Sequence, residues 1–305
     1  MGILPFVLRA ADVHIIVWRR VDGVHGRPAG LLPGKTNMNM SYRAPLSLEE
    51  NEFYKRKPES FQQCHRLLEW TFRFPKGGRI MWQGPYIPMI CGLFEQGRSA
   101  FEATLVLCNR GYAVQSFPLC RQLFEALLNV RFLQKDKSRA ERLRRYTRYK
   151  HLLHRKGLPS LPSSTPFSAF QVTQPPWSEE EKQELRELED EFPRKFKFRW
   201  SGLSMKKMAC KVGASADFEA LYPFLSGYVH LIDPFFFRSE CEEGNTIRGR
   251  YVPSFEGISD ALLISFYCFA QLTKEWLEVI GELDKKVEEE FQTLLSLNPT
   301  SISPP

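Results

Sequence analysis

Paired cysteines are absent from this sequence, since no two cysteines have the Cys-x-x-Cys spacing that holds a zinc ion. The 305 residues include 7 cysteines, an odd number, without a Cys-x-x-Cys pair. This usage argues against a secreted disulfide framework and against a zinc ribbon, and it is typical of a reducing compartment. We therefore expect a cytoplasmic protein without a structural metal.

Long hydrophobic runs are also missing. The longest candidate, residues 261–272, contains Ser265 and Tyr267 and is shorter than the roughly 20 residues that a membrane span requires. The N-terminus has no basic segment before its apolar stretch, and Arg9 and Asp12 interrupt that stretch, so it is unlike a signal peptide. The sequence predicts a soluble protein that does not associate with membranes.

Signatures of nucleotide chemistry are absent as well. The chain has no phosphate-binding loop, no dinucleotide-binding glycine pattern and no nucleophile elbow, and residues 244–249 lack the phosphate-loop spacing. These absences argue against P-loop enzymes, nicotinamide-dependent enzymes and α/β-hydrolases, and we predict no cofactor.

Helical periodicity is what the sequence has in abundance. The predicted helices cover residues 59–72, 90–110, 113–134, 139–156, 178–191, 200–212, 217–230 and 258–297. The helix at 113–134 is apolar nearly all round, which is typical of a central position. We predict an all-α bundle of about six to eight helices around it, with the C-terminal half of the last helix protruding.

The ends of the chain differ from its middle. Residues 1–40 mix apolar residues and arginines without a period, and we expect either a disordered tail or an extension outside the native protein, with translation starting at Met38 or Met40. Residues 298–305 are disordered by composition. Residues 41–297 should form a single helical domain.

Charged residues interrupt the apolar helix at helical spacing. Arg121, Glu125 and Asn129 lie at i, i+4 and i+8, on one stripe of that helix. A buried charge is costly unless it is paired, so an Arg121–Glu125 ion pair that fixes helix register is the simpler interpretation.

Ser226 and His230 form a second stripe, one turn after Tyr222. A histidine that bonds inside the bundle is the simpler interpretation here too. If the two stripes meet, His230 could act as an acid or base, Glu125 could orient it and Arg121 could hold an anion such as phosphate, without a metal. The candidate catalytic residues are Arg121, Glu125, Ser226 and His230.

Positive charge is concentrated in one helix. The formal net charge is +7, and residues 131–156 contain 11 lysines or arginines against two acids, with Tyr146 and Tyr149 between them. Such a helix is typical of RNA or DNA binding. The acidic helix at 178–191 offers intramolecular charge pairing as the alternative. The candidate nucleic-acid-binding residues are Arg142, Arg144, Arg145, Arg148 and Lys150.

Several of these strings resemble a known family. Arg121-Gln-Leu-Phe-Glu125 after Gly111, then Trp200-Ser-Gly-Leu-Ser and the segment from Tyr222 to His230, are similar to the bacterial domain of unknown function 5677 over residues 90–272. The resemblance implies an all-α fold. Because the activity of that family is not established, it implies no function.

A weaker resemblance is to the HEPN ribonucleases, whose bundles place a histidine shortly after an arginine, as Arg144 and His151 or Arg148 and His154 do.

Three hypotheses about the function follow from the sequence. The first is a non-catalytic interaction or regulatory protein that acts through partners or as a homo-oligomer. The second is a metal-independent ribonuclease or RNA-binding protein of defence or RNA turnover. The third is a small-molecule sensor. We favour the first.

Overall fold

The protein is mainly helical. The computed structural model describes residues 3–10, 13–20, 51–76, 80, 82–157, 176–193, 200–230, 239–242, 246–249 and 255–296, with the backbone alone at 3–20, 157, 230 and 239–249. The helices are α1 Glu52–Arg56, α2 Pro58–Thr71, α3 Tyr86–Asn109, α4 Ala113–Lys135, α5 Arg139–Gly157, α6 Glu179–Glu191, α7 Met205–Lys211, α8 Ser215–His230, α9 Ile258–Ile280 and α10 Lys285–Ser296. The all-α prediction is confirmed, with ten helices in the described part of the chain.

Two short strand pairs accompany the helices. Strands β1 (Ile3–Ala10) and β2 (Val13–Arg20) pair antiparallel, as do β3 (Ser239–Glu242) and β4 (Thr246–Gly249). The sequence predicted no strand in either region. Both β1 and β2 are rich in the β-branched and aromatic residues that fit a pleated strand. The remainder of the 1–40 segment, including Met38 and Met40, and the 298–305 tail lie outside the described residues.

The chain groups into two compact units. One contains residues 1–38 and 140–202, and the other contains residues 39–139 and 203–305. The sequence predicted a single helical domain over 41–297. Nothing in the sequence pattern marks 140–202 as separate, because its helices have the same amphipathic period as the others.

The core of the larger unit is built from α3, α4 and α9. Both α4 and α9 contribute twelve buried residues, and Phe94 stacks on Trp276 with ring centroids 3.9 Å apart. Gly97 lets the helices approach closely, since a Cβ there would lie 2.2 Å from Leu272 Cδ2. The predicted central position of α4 follows from this packing, and the helix continues through Pro118.

Helix α8 lies antiparallel to α4. The Phe117 ring of α4 contacts Phe224 and Tyr228 of α8, with centroids 5.1 and 4.3 Å apart, whereas Asp217, near the start of α8, lies by Arg131, near the end of α4. This arrangement places the two predicted polar stripes on adjacent helices of the same unit.

The long last helix predicted at 258–297 is wrong in one respect. The helix ends at Gly281, whose φ of 74° is readily adopted only by glycine, and the chain turns into α10. Helix α10 does not protrude, because its Val287 and Phe291 are buried and Phe291 packs on Trp70 of α2. An acidic helix with two apolar residues on one face can still dock.

The smaller unit contains a hairpin of α5 and α6. Ser178 and Glu181 form a capping box, and α6 begins directly after Ser178. Five buried side chains hold the two helices together, namely Tyr149, Leu152, Leu185, Leu188 and Phe192.

Candidate functional site

The polar residues of α4 and α8 meet in one cluster. Arg121 Nε donates to Glu125 Oε1 at 2.9 Å, and Arg121 also donates to the Tyr222 hydroxyl at 2.7 Å. The Tyr222 hydroxyl in turn donates to Glu125 Oε1 at 3.3 Å. These three side chains, which we call the α4–α8 cluster, form a closed triangle of hydrogen bonds between the two helices.

The cluster lies at the edge of the core. The Arg121 side chain is 16% exposed and that of Glu125 is 33% exposed, so the ion pair is neither sealed nor freely solvated. The Arg121 guanidinium also lies 4.8 Å from the centroid of the Tyr222 ring, within range of a cation–π interaction. The predicted Arg121–Glu125 pair is therefore present, and Tyr222 completes it.

Asn129 lies on the same stripe but outside the triangle. Its Nδ2 donates to the Glu125 backbone carbonyl at 2.8 Å, one turn back along α4. The residue therefore bonds to its own helix, and its side chain does not contact the other helix through that bond. The i, i+4, i+8 spacing predicts a shared face, and Arg121 and Glu125 use it to form their ion pair.

Among the four candidate catalytic residues, the described side chains that bond to one another are those of Arg121 and Glu125. Ser226 is half-buried on α8, one turn after Tyr222, and no hydrogen bond among the described residues joins it to the α4–α8 cluster. His230 ends α8, and its side chain lies outside the described residues. A role for His230 as acid or base, oriented by Glu125, stays a prediction. The arrangement that is described can hold α8 against α4.

A second polar cluster lies near the other end of α8. Arg131 Nε donates to Glu275 Oε1 at 2.7 Å, and Arg131 also donates to Gln271 Oε1 at 2.9 Å and lies 3.9 Å from Asp217. The Tyr267 hydroxyl donates to Asp217 at 3.1 Å. We call these residues the Arg131 cluster. Burial raises the pKa of Tyr267, and the neighbouring Asp217 carboxylate raises it further, so the phenol stays a donor.

Comparison with known proteins bears on these residues. Residues 88–234 match the model of a family described as a family of unknown function, DUF5677. Residues 88–234 are therefore similar to that family, and we call them the DUF5677 segment. The match includes the α4–α8 cluster and ends before α9, so it is shorter than the predicted 90–272. Neither the curated proteins nor the solved structures contain a match to the chain.

The basic helix of the DUF5677 segment is paired with acids. Arg145 Nε donates to Glu191 at 2.6 Å, and Arg148 donates to both carboxylate oxygens of Glu184 at 2.8 to 3.1 Å. Further along the hairpin, Lys156 pairs with Glu189 at 3.2 Å. Intramolecular ion pairs therefore account for much of the positive charge on α5, as the alternative interpretation predicts.

The remaining candidates on α5 divide into bonded and exposed residues. Arg144 pairs with Glu141 on its own helix at 2.6 Å, and Arg142 Nε donates to the Trp200 carbonyl at 2.7 Å. The hydrogen bond from Arg144 lowers the pKa of Glu141. Lys150 is exposed and forms no ion pair with the residues that the structure describes. Among the five predicted nucleic-acid contacts, Lys150 is therefore the one most open to an external phosphate.

The tyrosines of α5 are part of the hairpin core of the DUF5677 segment. Tyr149 is 6% exposed and stacks on Phe192 at 5.7 Å between centroids, while Tyr146 meets the same ring edge-on at 5.3 Å. Stacking on a nucleobase requires an open ring face. These two rings pack on Phe192 within the hairpin. The aromatic residues of the predicted nucleic-acid pattern therefore contribute to the hairpin core.

The buried thiols of the protein are protonated at neutral pH. Burial raises the pKa of Cys91 to about 11 and that of Cys108 and Cys120 to about 12, and it raises the pKa of Cys64 and Cys268 as well. Because the thiolate is the reactive form, burial disfavours nucleophilic reactivity at these residues. Within the described ranges, no three histidine, cysteine or acidic side chains group as metal ligands. No helix there has the length and hydropathy to cross a membrane.

Proposed function

We propose that this protein is a non-catalytic interaction or regulatory protein, in which the α4–α8 cluster sets the position of α8. The observation that carries the proposal is the closed triangle of Arg121, Glu125 and Tyr222. Each of its three hydrogen bonds is made within the chain, and each joins groups that a substrate would otherwise have to engage. A satisfied polar network of this kind specifies one packing of two helices.

A specific observation favours a second candidate, metal-independent cleavage or binding of RNA. The Glu125 side chain is 33% exposed, so solvent reaches one side of the cluster. On the same family segment, Lys150, His151 and His154 of α5 are exposed. Phosphate contacts of an RNA-binding helix come from such side chains. This candidate needs Arg121 or Glu125 to exchange its internal partner for a phosphodiester.

One experiment separates the two candidates. Arg121→Gln, Glu125→Gln and Tyr222→Phe are compared with wild type for melting temperature and for cleavage of single-stranded RNA in EDTA. A structural cluster predicts that Arg121→Gln lowers stability by about 1–3 kcal/mol, because it leaves partly buried partners unsatisfied. The non-catalytic proposal predicts no RNA cleavage by the wild type.

The matched control is Arg186→Gln on α6. It removes the same charge from an exposed arginine whose hydrogen bonds to the described residues go to Gln183, one turn away, and should leave the melting temperature nearly unchanged. Wild-type cleavage that Arg121→Gln and Glu125→Gln abolish at an unchanged melting temperature would overturn the proposal and support the enzyme.

RNA binding without cleavage has its own test. Lys150→Glu reverses an exposed charge without breaking an ion pair to the described residues, whereas Arg148→Glu also disrupts the bond to Glu184. Filter binding of RNA to the wild type at low salt, weakened by Lys150→Glu, would support RNA as the partner. No difference between the wild type and Lys150→Glu would count against it.

A further inference from the structure

Helix α8 is apolar in sequence but shallowly buried. Among residues 215–229, Leu225 is the one buried side chain, and Phe224 and Val229 are 38% and 39% exposed. By contrast, α4 and α9 each bury twelve residues. Local opening is easiest where few apolar contacts must be broken. By this measure α8 is more weakly attached than the helices beside it.

The backbone of α8 is weak as well. Pro223 lies inside the helix, where it supplies no N–H for a bond to the preceding turn. Gly227 follows one turn later, and glycine lowers helix stability relative to alanine. A Cβ at Gly227 would meet nothing within 4 Å, so close packing does not explain the glycine.

The polar contacts of α8 include two with arginines of α4 and one with Tyr267 of α9, whose hydroxyl donates to Asp217, and neither arginine depends on α8 for a partner. Arg121 contacts Tyr222 of α8, but it also pairs with Glu125 of its own helix. Arg131 lies 3.9 Å from Asp217 of α8, but its shorter bonds are to Glu275 and Gln271 of α9. If α8 moves away, both guanidinium groups keep a carboxylate partner. Leaving a buried charge unpaired is the largest penalty for breaking such contacts, and here it does not arise.

The apolar contact between α4 and α8 is also shallow. Phe117 of α4 is buried, with Phe224 and Tyr228 of α8 packed on its ring. Both α8 residues remain partly exposed while they make this contact. Separation of α8 therefore uncovers apolar surface that includes Phe117 of α4, with Arg121 close by on the same helix.

We propose that α8 is a detachable helix, which opens from α4 as a local unit while α3, α4 and α9 stay folded. The opening exposes the Phe117 surface and the guanidinium of Arg121. A ligand or partner can then shift the equilibrium between the attached and the detached state of α8. The proposal holds whether or not Arg121 and Glu125 touch a substrate, because it concerns the attachment of α8 alone.

Hydrogen exchange of the full chain, followed by mass spectrometry under native conditions, tests this. Amides of α8 should exchange at least about tenfold faster than the protected amides of α4 and α9, which corresponds to local opening below the global unfolding free energy. Exchange of α8 at the same rate as α4, with the same response to denaturant, would overturn the proposal.

Two variants should move the exchange of α8 in opposite directions. Gly227→Ala should slow it roughly two- to fivefold, because alanine favours the helical state and meets no neighbour. Tyr222→Phe should speed it about fivefold, because the hydroxyl bonds to Arg121 and Glu125 are lost.

Gly92→Ala on α3 is the matched control for the glycine variant. A Cβ there also meets nothing within 4 Å, but the residue lies on a different helix. It should leave the exchange rate of α8 unchanged. If Gly227→Ala and Gly92→Ala affect α8 equally, its opening is part of global unfolding and the proposal fails.

Discussion

The helical core of α3, α4 and α9 and the hairpin of α5 and α6 are held together by different forces. In the core, large apolar side chains pack so closely that Gly97 has no room for a Cβ beside Leu272. In the hairpin, five buried side chains form a small cluster, and ion pairs such as Arg148–Glu184 flank it. Apolar packing is sensitive to shape, whereas partly exposed ion pairs are sensitive to salt and contribute less each.

This difference bears on how charge in a sequence is interpreted. A run of arginines resembles a nucleic-acid surface when its partner helix is not considered. In the structure, Arg145 and Arg148 are directed to Glu191 and Glu184, which lie 36 or more positions away in the chain. Charge density along one helix therefore predicts a function only after the facing helix has been accounted for.

The largest effect is expected in the core. Gly97→Ala places a Cβ 2.2 Å from Leu272 Cδ2 and 3.0 Å from Leu123 Cδ1, both in a packed interior. We expect a loss of roughly 1–3 kcal/mol in the free energy of unfolding, typical of overpacking. Urea unfolding measures it, and Gly92→Ala on the same helix is the control. Equal stability of the two variants would mean that the core is looser than the contact between α3 and α9 implies.

A smaller effect is expected in the hairpin. A double-mutant cycle of Arg148→Ala and Glu184→Ala should give a coupling energy below about 1 kcal/mol, because both side chains are partly exposed. In 1 M NaCl, where the screening length is about 3 Å, the coupling should shrink further. A coupling above about 2 kcal/mol that salt does not change would show that the hairpin resembles the core.

The smallest effect is expected at the contact between α10 and α2. That contact combines apolar packing with charged groups at the surface. The indole of Trp70, followed by Arg73, lowers the pKa of Glu290 below its ordinary value of 4.5. A carboxyl group whose pKa is lowered by folding stabilises the protein fully above its unfolded pKa, and this contribution is lost as the pH falls through the folded pKa.

Below about pH 4.5, the melting temperature of the wild type should therefore fall slightly more than that of Glu290→Gln. Buried Phe291 and Val287 should keep α10 docked in both proteins. Thermal melts across this pH range measure the difference. An identical pH dependence in the two proteins would show that apolar packing alone determines the α2–α10 contact.

Local patterns predicted most of the helices and one ion pair. The spacing of Arg121 and Glu125 is an intrahelical property, so a single sequence contains it, and the same holds for the capping box at Ser178 and Glu181. Tyr222 was recognised only as part of a stripe on α8. Its bonds to both residues depend on the antiparallel contact of α8 with α4, which no intrahelical pattern encodes.

Two other features escaped prediction for related reasons. The sequence groups Arg131 with the basic run at 131–156, but the residue lies on α4 and bonds to Glu275 and Gln271 of α9. The break at Gly281 was missed because apolar residues continue beyond it, and the glycine itself was the available signal. The partners of Arg131 are distant in the sequence, whereas at Gly281 a single residue interrupts a long periodic pattern.

The docking of α10 on α2 has a consequence for the order in which the protein is made. Gln63 donates to the carbonyl of Leu294, 231 positions later in the chain. At roughly 5–20 residues per second, a ribosome needs about 10–50 s to span that distance. During this interval α2 has been synthesised, but Phe291 is not yet present to cover Trp70. Until α10 emerges, Trp70 on α2 therefore lacks the cover that Phe291 gives it in the folded protein.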